Sequence, residues 1–142
     1  AYELLEVAQY AARKDLQVDW KHTRATGALM FTTVGKHVEL DGTKVNGASV
    51  GPIGIVSAFA MQPDETARHE AVHVHQHWFV QEAWGRPIED WARRTVPFAS
   101  RIPSWLELGA TPSILFWLEY QVVGRQGTHH LMEAEAGLLA RR

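Results

Sequence analysis

The side chains best suited to chemistry are concentrated in residues 68–77, Arg-His-Glu-Ala-Val-His-Val-His-Gln-His. Within this run His69, Glu70 and His73 form the pattern His-Glu-x-x-His. On an α-helix, residues four apart lie one above the other on the same face. His69 and His73 can therefore offer two imidazole nitrogens to one metal ion, and Glu70, one step round the helix, can reach a water on that ion. Two ligands plus a general base is a minimal set for metal-assisted hydrolysis. The chain has 8 histidines, so the spacing alone could be chance, and its surroundings decide its weight. His77 continues the same face, but His69 and His77 are about 12 Å apart along a helix axis. Three histidines so spaced do not share one ion, and His77 is expected to pack or to support a ligand. Gln76 is on the ligand side, within reach of the site, whereas His75 points away, toward solvent or a sheet.

A catalytic zinc site usually has three protein ligands and one open position. The chain has no cysteine, which excludes thiolate ligands, thiol catalysis and disulfides and leaves His, Asp and Glu as donors. A third histidine ten residues after the first, as in one group of zincins, would fall at Phe79, and the glycine of that longer signature is also missing. A glutamate from a later helix is the alternative. Glu82 is on the motif helix, too far along its axis from His73. Glu119 stands among Phe116, Trp117, Leu118, Val122 and Val123, where a carboxylate is costly unless paired or exposed. Glu133 and Glu135 fall in a late helical run, residues 131–136, that would otherwise be an ordinary solvated face.

The rest of the chain must position these groups. Its 142 residues suffice for one domain with a core, and 46% hydrophobic against 21% charged residues makes it globular. A net charge of −2 gives no electrostatic case for nucleic acid or an anionic membrane. No apolar run of about 18 residues is present. The first residue is Ala1, so the N-terminus is expected to be processed or cut from a longer chain. Five of the six tryptophans fall within or after the motif helix, and four of them, Trp78, Trp84, Trp91 and Trp105, are expected in the core. Apolar spacing predicts a helix over residues 2–14, then a polar connection over 15–26. Strands are expected at 28–34, 37–40 and 44–45, the last two joined by an Asp41-Gly42 turn. The glycine-rich run 47–54 suits bends, and 53–61 reads as the strand nearest the site. Pro63-Asp64-Glu65-Thr66 is a helix start with Asp64 as N-cap, and the helix should run from about Glu65 to Trp84 and stop at Gly85. A short helix over 87–94, a loop over 96–103, a turn at 104–108 and helices over 111–124 and 128–140 complete the chain. The motif therefore sits on a helix that follows a strand, the context it requires. The fold expected is a single α+β domain over residues 1–142, a small, mainly antiparallel sheet followed by helices.

From about Ile53 onward the chain resembles the gluzincin-like zinc metallopeptidases, specifically small bacterial metallopeptidase-like domains with His-Glu-x-x-His-x-x-Gln early and Glu-x-Glu-Ala late. Here these are His69 to Gln76 and Glu133-Ala134-Glu135-Ala136. Ala83-Trp84-Gly85 and the aromatic run Phe116-Trp117-Leu118-Glu119-Tyr120 are similar too. The N-terminal third carries none of the resemblance. The resemblance implies a zincin-like fold, one zinc ion, and Glu133 as third ligand beside His69 and His73, with Ala136 as the small residue three positions on. Four positions after Glu133 such proteins often carry Asp or Asn to orient a ligand histidine, and here Gly137 stands there. Either the orienting group comes from elsewhere, or the register shifts and Glu135 is the ligand.

The implied activity is hydrolysis of a peptide bond by a metal-bound water, with Glu70 taking its proton and passing it to the leaving amine. Tyr120, Arg125, His129 and His130 are candidates to steady the oxyanion. An extended peptide could pair with the strand before the motif helix, at residues 55–60. The partner expected is a peptide or protein substrate, with no nucleic acid. The alternatives are a zincin-like module that binds metal or a protein without hydrolysis, and a peripheral membrane or interaction domain using the apolar surface of residues 105–123.

Overall fold

The computed structural model describes residues 11–40, 42–101, 136 and 138–140. In chain order the elements are β1 (Leu16–Val18), α1 (Trp20–Thr26), β2 (Leu29–Thr33), β3 (Val38–Leu40), β4 (Thr43–Val45), β5 (Gly47–Val50), β6 (Ile53–Val56), α2 (Pro63–Val80), a π-helical turn (Gln81–Gly85), α3 (Arg86–Thr95) and a 3-10 turn (Ala99–Arg101). The fold is α+β, with the sheet first and the helices after it. Four strands form a sheet in the order β1-β2-β6-β5, and β3 and β4 form a separate hairpin. Every strand pairing is antiparallel except β2 with β6.

Both faces of the sheet are covered. On one side Ala67, Ala71 and Val74 of α2 pack against Ala28, Met30 and Val56. On the other, Phe31, Ile53 and Ile55 meet Leu16 and Val38. The alternation of residues along β2 and β6 sorts them between these two layers. Each fully buried aliphatic or aromatic side chain contributes about 1.5–3 kcal/mol. The first layer therefore fixes α2, and with it the motif, on the sheet.

Several expectations change. Residues 15–26 are not a mere connection: they hold β1 and α1. Asp19 caps α1 by accepting from the His22 amide, and Gly27 closes it at φ 72°. Five of the seven residues of α1 are polar, and with local caps they leave no apolar stripe to read. The glycine-rich run contains the strand β5, and Gly51, at φ 55°, makes the turn into β6. The strand expected over 53–61 ends at Val56. Asp64 is not the N-cap of α2; Gln62 is, with Pro63 at the first position and no side-chain capping bond. The helix expected over 2–14 falls largely outside the described residues, as do the turn at 104–108, the helix over 111–124 and most of the last one.

Gly85 does not stop the motif helix. It is helical, at φ −59° and ψ −55°, inside the π-helical turn that joins α2 to α3. Gln81 is 1% exposed and folds its amide onto Gly85. A Cβ on Gly85 would lie 2.3 Å from Gln81 Oε1, so glycine is needed here for space rather than for termination. Gln81 Nε2 donates at 3.4 Å to Glu89, itself buried. The wider π turn absorbs the missing donor of Pro87, which would otherwise break the helix. Trp78, Trp84 and Trp91 are 37%, 61% and 63% exposed, so they are not core residues, and Trp105 lies outside the described residues.

Instead of capping, Asp64 ties α2 to α1. Its Oδ1 accepts from Lys21 Nζ at 2.7 Å and faces His22 Nε2 at 2.8 Å. His22 Nδ1 faces Asp19 Oδ2 at 2.6 Å, so the ring bridges two carboxylates. Burial pushes the His22 pKa down, but the bonds to Asp19 and Asp64 outweigh it and hold the pKa above the usual 6.5. Lys21 and His22 hold Asp64 down at about 2. A raised histidine contributes stability that is complete below 6.5 and is lost as pH rises through the folded value. Urea unfolding of wild type and His22→Gln across pH 5.5–8.5 (about the histidine range) should show a stability difference that shrinks as pH rises. A difference that grows with pH would contradict the bridge.

Candidate functional site

The functional side chains of α2 sit on its core face. Glu70, His73 and His77 are buried together with Ala67, Ala71, Val74 and Val80, and His69 is half-buried at the edge of that stripe. These positions repeat at the three- and four-residue helical spacing, so the sheet that anchors the helix also fixes the site.

His69 and His73 are brought together. Their Nε2 atoms face each other at 3.2 Å, with the rings edge-on at 77° and centroids 4.8 Å apart. Two imidazole nitrogens at about 2.0–2.1 Å from a tetrahedral zinc ion would be about 3.3 Å apart. The separation of the pair is therefore close to that of two nitrogens sharing one ion. The proton of His73 is fixed by a third group. His73 Nδ1 lies 2.9 Å from Gln76 Oε1, an acceptor, so Nδ1 carries the hydrogen and donates it. That tautomer turns the Nε2 lone pair toward His69. An acceptor that orients the His73 ring is thus present in Gln76, three residues further along the motif helix. Replacing Gln76 by Ala should weaken zinc binding by about 10–100-fold, with Gln76→Glu, which keeps the acceptor, close to wild type. Competition against a chromophoric chelator reads both, and equal affinity for wild type and Gln76→Ala would remove Gln76 from this role.

Glu70 is 7% exposed and lies over the sheet, against β5 and β6 at Gly47 and Gly54. His77 is buried, and burial pushes its pKa below the usual value, so it stays neutral. His75 is exposed and donates from Nε2 to the Thr26 carbonyl at 3.2 Å, joining α2 to the end of α1. Glu82 is exposed and pairs with Arg86 at 2.9 Å, apart from the histidines.

Among the described residues no group of three His, Asp or Glu donors converges on one point. Glu133, Glu135, Glu119, Tyr120, Arg125, His129 and His130 lie outside the described residues. The end of the last helix is described. Residues 136 and 138–140 are helical, Ala136 and Ala140 are buried, and the Ala140 carbonyl accepts from Arg68 Nε at 2.9 Å. Ala140 is therefore joined to the motif helix through Arg68. The strand expected to meet a substrate is corrected: β6 is interior, paired with both β2 and β5, and β5 is the edge nearest the site. The buried Gln81–Glu89 pair and the role of Gly47 gave no signal in the sequence beyond the clustering of glycines.

No protein-family model, no curated protein and no solved structure matches this chain.

Proposed function

We propose that the chain is a zinc-dependent hydrolase that cleaves peptide bonds. The observation that carries this reading is the facing pair of Nε2 atoms at 3.2 Å, with Gln76 holding the His73 proton on the far side of the ring. His69 and His73 hold the ion, and Glu133 closes the site from the last helix. The contact between Arg68 and Ala140 supports that part, because it ties the described end of the last helix to the motif helix. The donor set, two imidazoles and a carboxylate without thiolate, suits zinc. A bound zinc ion supplies a Lewis acid and a water of lowered pKa. Glu70 takes the proton of the attacking water on its carboxylate and delivers it to the leaving nitrogen. An extended peptide adds to the sheet at β5, where main-chain hydrogen bonds hold it beside Glu70.

Chelation tests the reading. Treatment with 1,10-phenanthroline should abolish cleavage of an unfolded protein substrate, and zinc, but not magnesium, should restore it. Cleavage that persists in zinc-free protein overturns the reading. A second reading, a module that binds metal or a partner protein without hydrolysis, is favoured by the exposed side chains of Trp84, Ile88 and Trp91. These recur at intervals of four and three residues on one face of a helical segment. Zinc binding without cleavage of any unfolded substrate would decide for it.

A further inference from the structure

We propose that Gly47 is a positioning residue for the Glu70 carboxylate, an inference that rests on Glu70 being the general base. A carboxylate 7% exposed is placed by what it touches, since water does little to hold it. Strands β5 and β6 pair with Gly47 opposite Val56 and Ser49 opposite Gly54. Val56 belongs to the layer under α2, whereas Ala48, Val50, Ile53 and Ile55 belong to the opposite layer. Side chains alternate along a strand and partners share a face. The surface presented to α2 is therefore Gly47, Ser49, Gly54 and Val56, a trough with two glycines under Glu70.

Neither glycine is required by its backbone. The described glycines with positive φ are Gly27, Gly35, Gly42 and Gly51. What Gly47 and Gly54 supply is space, and they supply it to different neighbours. A Cβ on Gly47 would lie 2.6 Å from Thr66 Cγ2, 2.9 Å from Glu70 Oε1 and 3.0 Å from Glu70 Cγ. A Cβ on Gly54 would lie 2.7 Å from both Met30 Cε and Sδ, and 3.2 Å from Glu70 Cβ. The Met30 thioether is the far end of a flexible chain and can turn aside. At Gly47 the obstacle is the reacting group itself and a β-branched side chain on the same helix. A methyl at 47 moves the carboxylate, and a methyl at 54 repacks the core. Displacement of a catalytic group by about 1 Å can cost on the order of a hundredfold in rate.

The test compares Gly47→Ala with Ile53→Ala, a buried side chain on the face of the sheet turned away from α2, in the full chain. Three readouts are used: zinc affinity by competition, kcat and KM on an unfolded protein substrate, and the Glu70 carboxyl 13C resonance in metal-free, glutamate-labelled protein, assigned by its loss in Glu70→Gln. Gly47→Ala should move that resonance, keep zinc affinity, and lower kcat on the order of a hundredfold with KM little changed. Ile53→Ala, which opens a cavity in the opposite layer of the sheet, should lower the thermal midpoint while leaving the resonance in place and kcat within about twofold of wild type, as expected of a change away from the reacting group. If Gly47→Ala fails to fold, Gly47→Ala/Thr66→Ser removes the 2.6 Å contact and keeps the one with Glu70, and the same shift is expected. An unmoved resonance with unchanged kcat overturns the proposal. A wild type that neither binds zinc nor cleaves refutes the hydrolase reading, and the resonance then decides the placement of Glu70 alone.

Discussion

Glu70→Gln should retain zinc at wild-type affinity and lose between about a hundredfold and ten-thousandfold in the rate of peptide hydrolysis, the range spanned by a positioned general base. Glutamine matches glutamate in size and fills the same trough over Gly47 and Gly54, so packing against the sheet is kept. It cannot take a proton, so water is no longer activated and the leaving nitrogen receives none. KM should change little, since the carboxylate is 7% exposed and has almost no surface to offer a bound peptide. Steady-state kinetics on a quenched fluorogenic peptide would separate the two effects. An unchanged kcat would remove Glu70 from the mechanism, and a loss of zinc would make it a ligand rather than a base.

Removing a ligand acts on the metal itself. His73→Ala should abolish stoichiometric zinc, because it deletes one of two nitrogens facing each other at 3.2 Å together with the ring that Gln76 orients. Glu133→Ala should weaken zinc by more than the roughly 10–100-fold that loss of an outer partner costs. Glu135→Ala should leave it near wild type, because alternate residues of a helix point to opposite sides. Loss of zinc in Glu135→Ala with retention in Glu133→Ala would shift the register of the late motif by two residues.

How much of this was legible in the sequence follows from where each signal comes from. The spacing of His69, Glu70 and His73 called for a helix, and α2 is that helix. The α+β order was readable from short β-rich runs followed by helical periodicity. Strand β2 and the hairpin of β3 and β4 fell where the sequence put them, while β1 and α1 did not, since the alternation of β1 spans three residues only and α1 is set by its caps Asp19 and Gly27 rather than by an apolar stripe. The roles of Asp64 and Gly85 were misread for one reason. Each residue type has a common local use, capping or stopping a helix, and here tertiary contacts override it: Asp64 binds Lys21 and His22, and Gly85 makes room for the Gln81 amide. The core face of α2 was partly hidden too, because Glu70, His73 and His77 occupy positions that would otherwise carry the apolar stripe. Gly47 and Gly54 read as bends, since space filled by side chains from other elements has no local signature.

The central claim is that His69 and His73 hold a zinc ion. It is tested most directly by the zinc content, measured by mass spectrometry of the elements, of wild type and His73→Ala purified identically and dialysed against a weak chelator. Wild type should hold about one zinc per chain, the complement of a single site, and His73→Ala only background. Equal, substoichiometric zinc in both proteins would contradict the site.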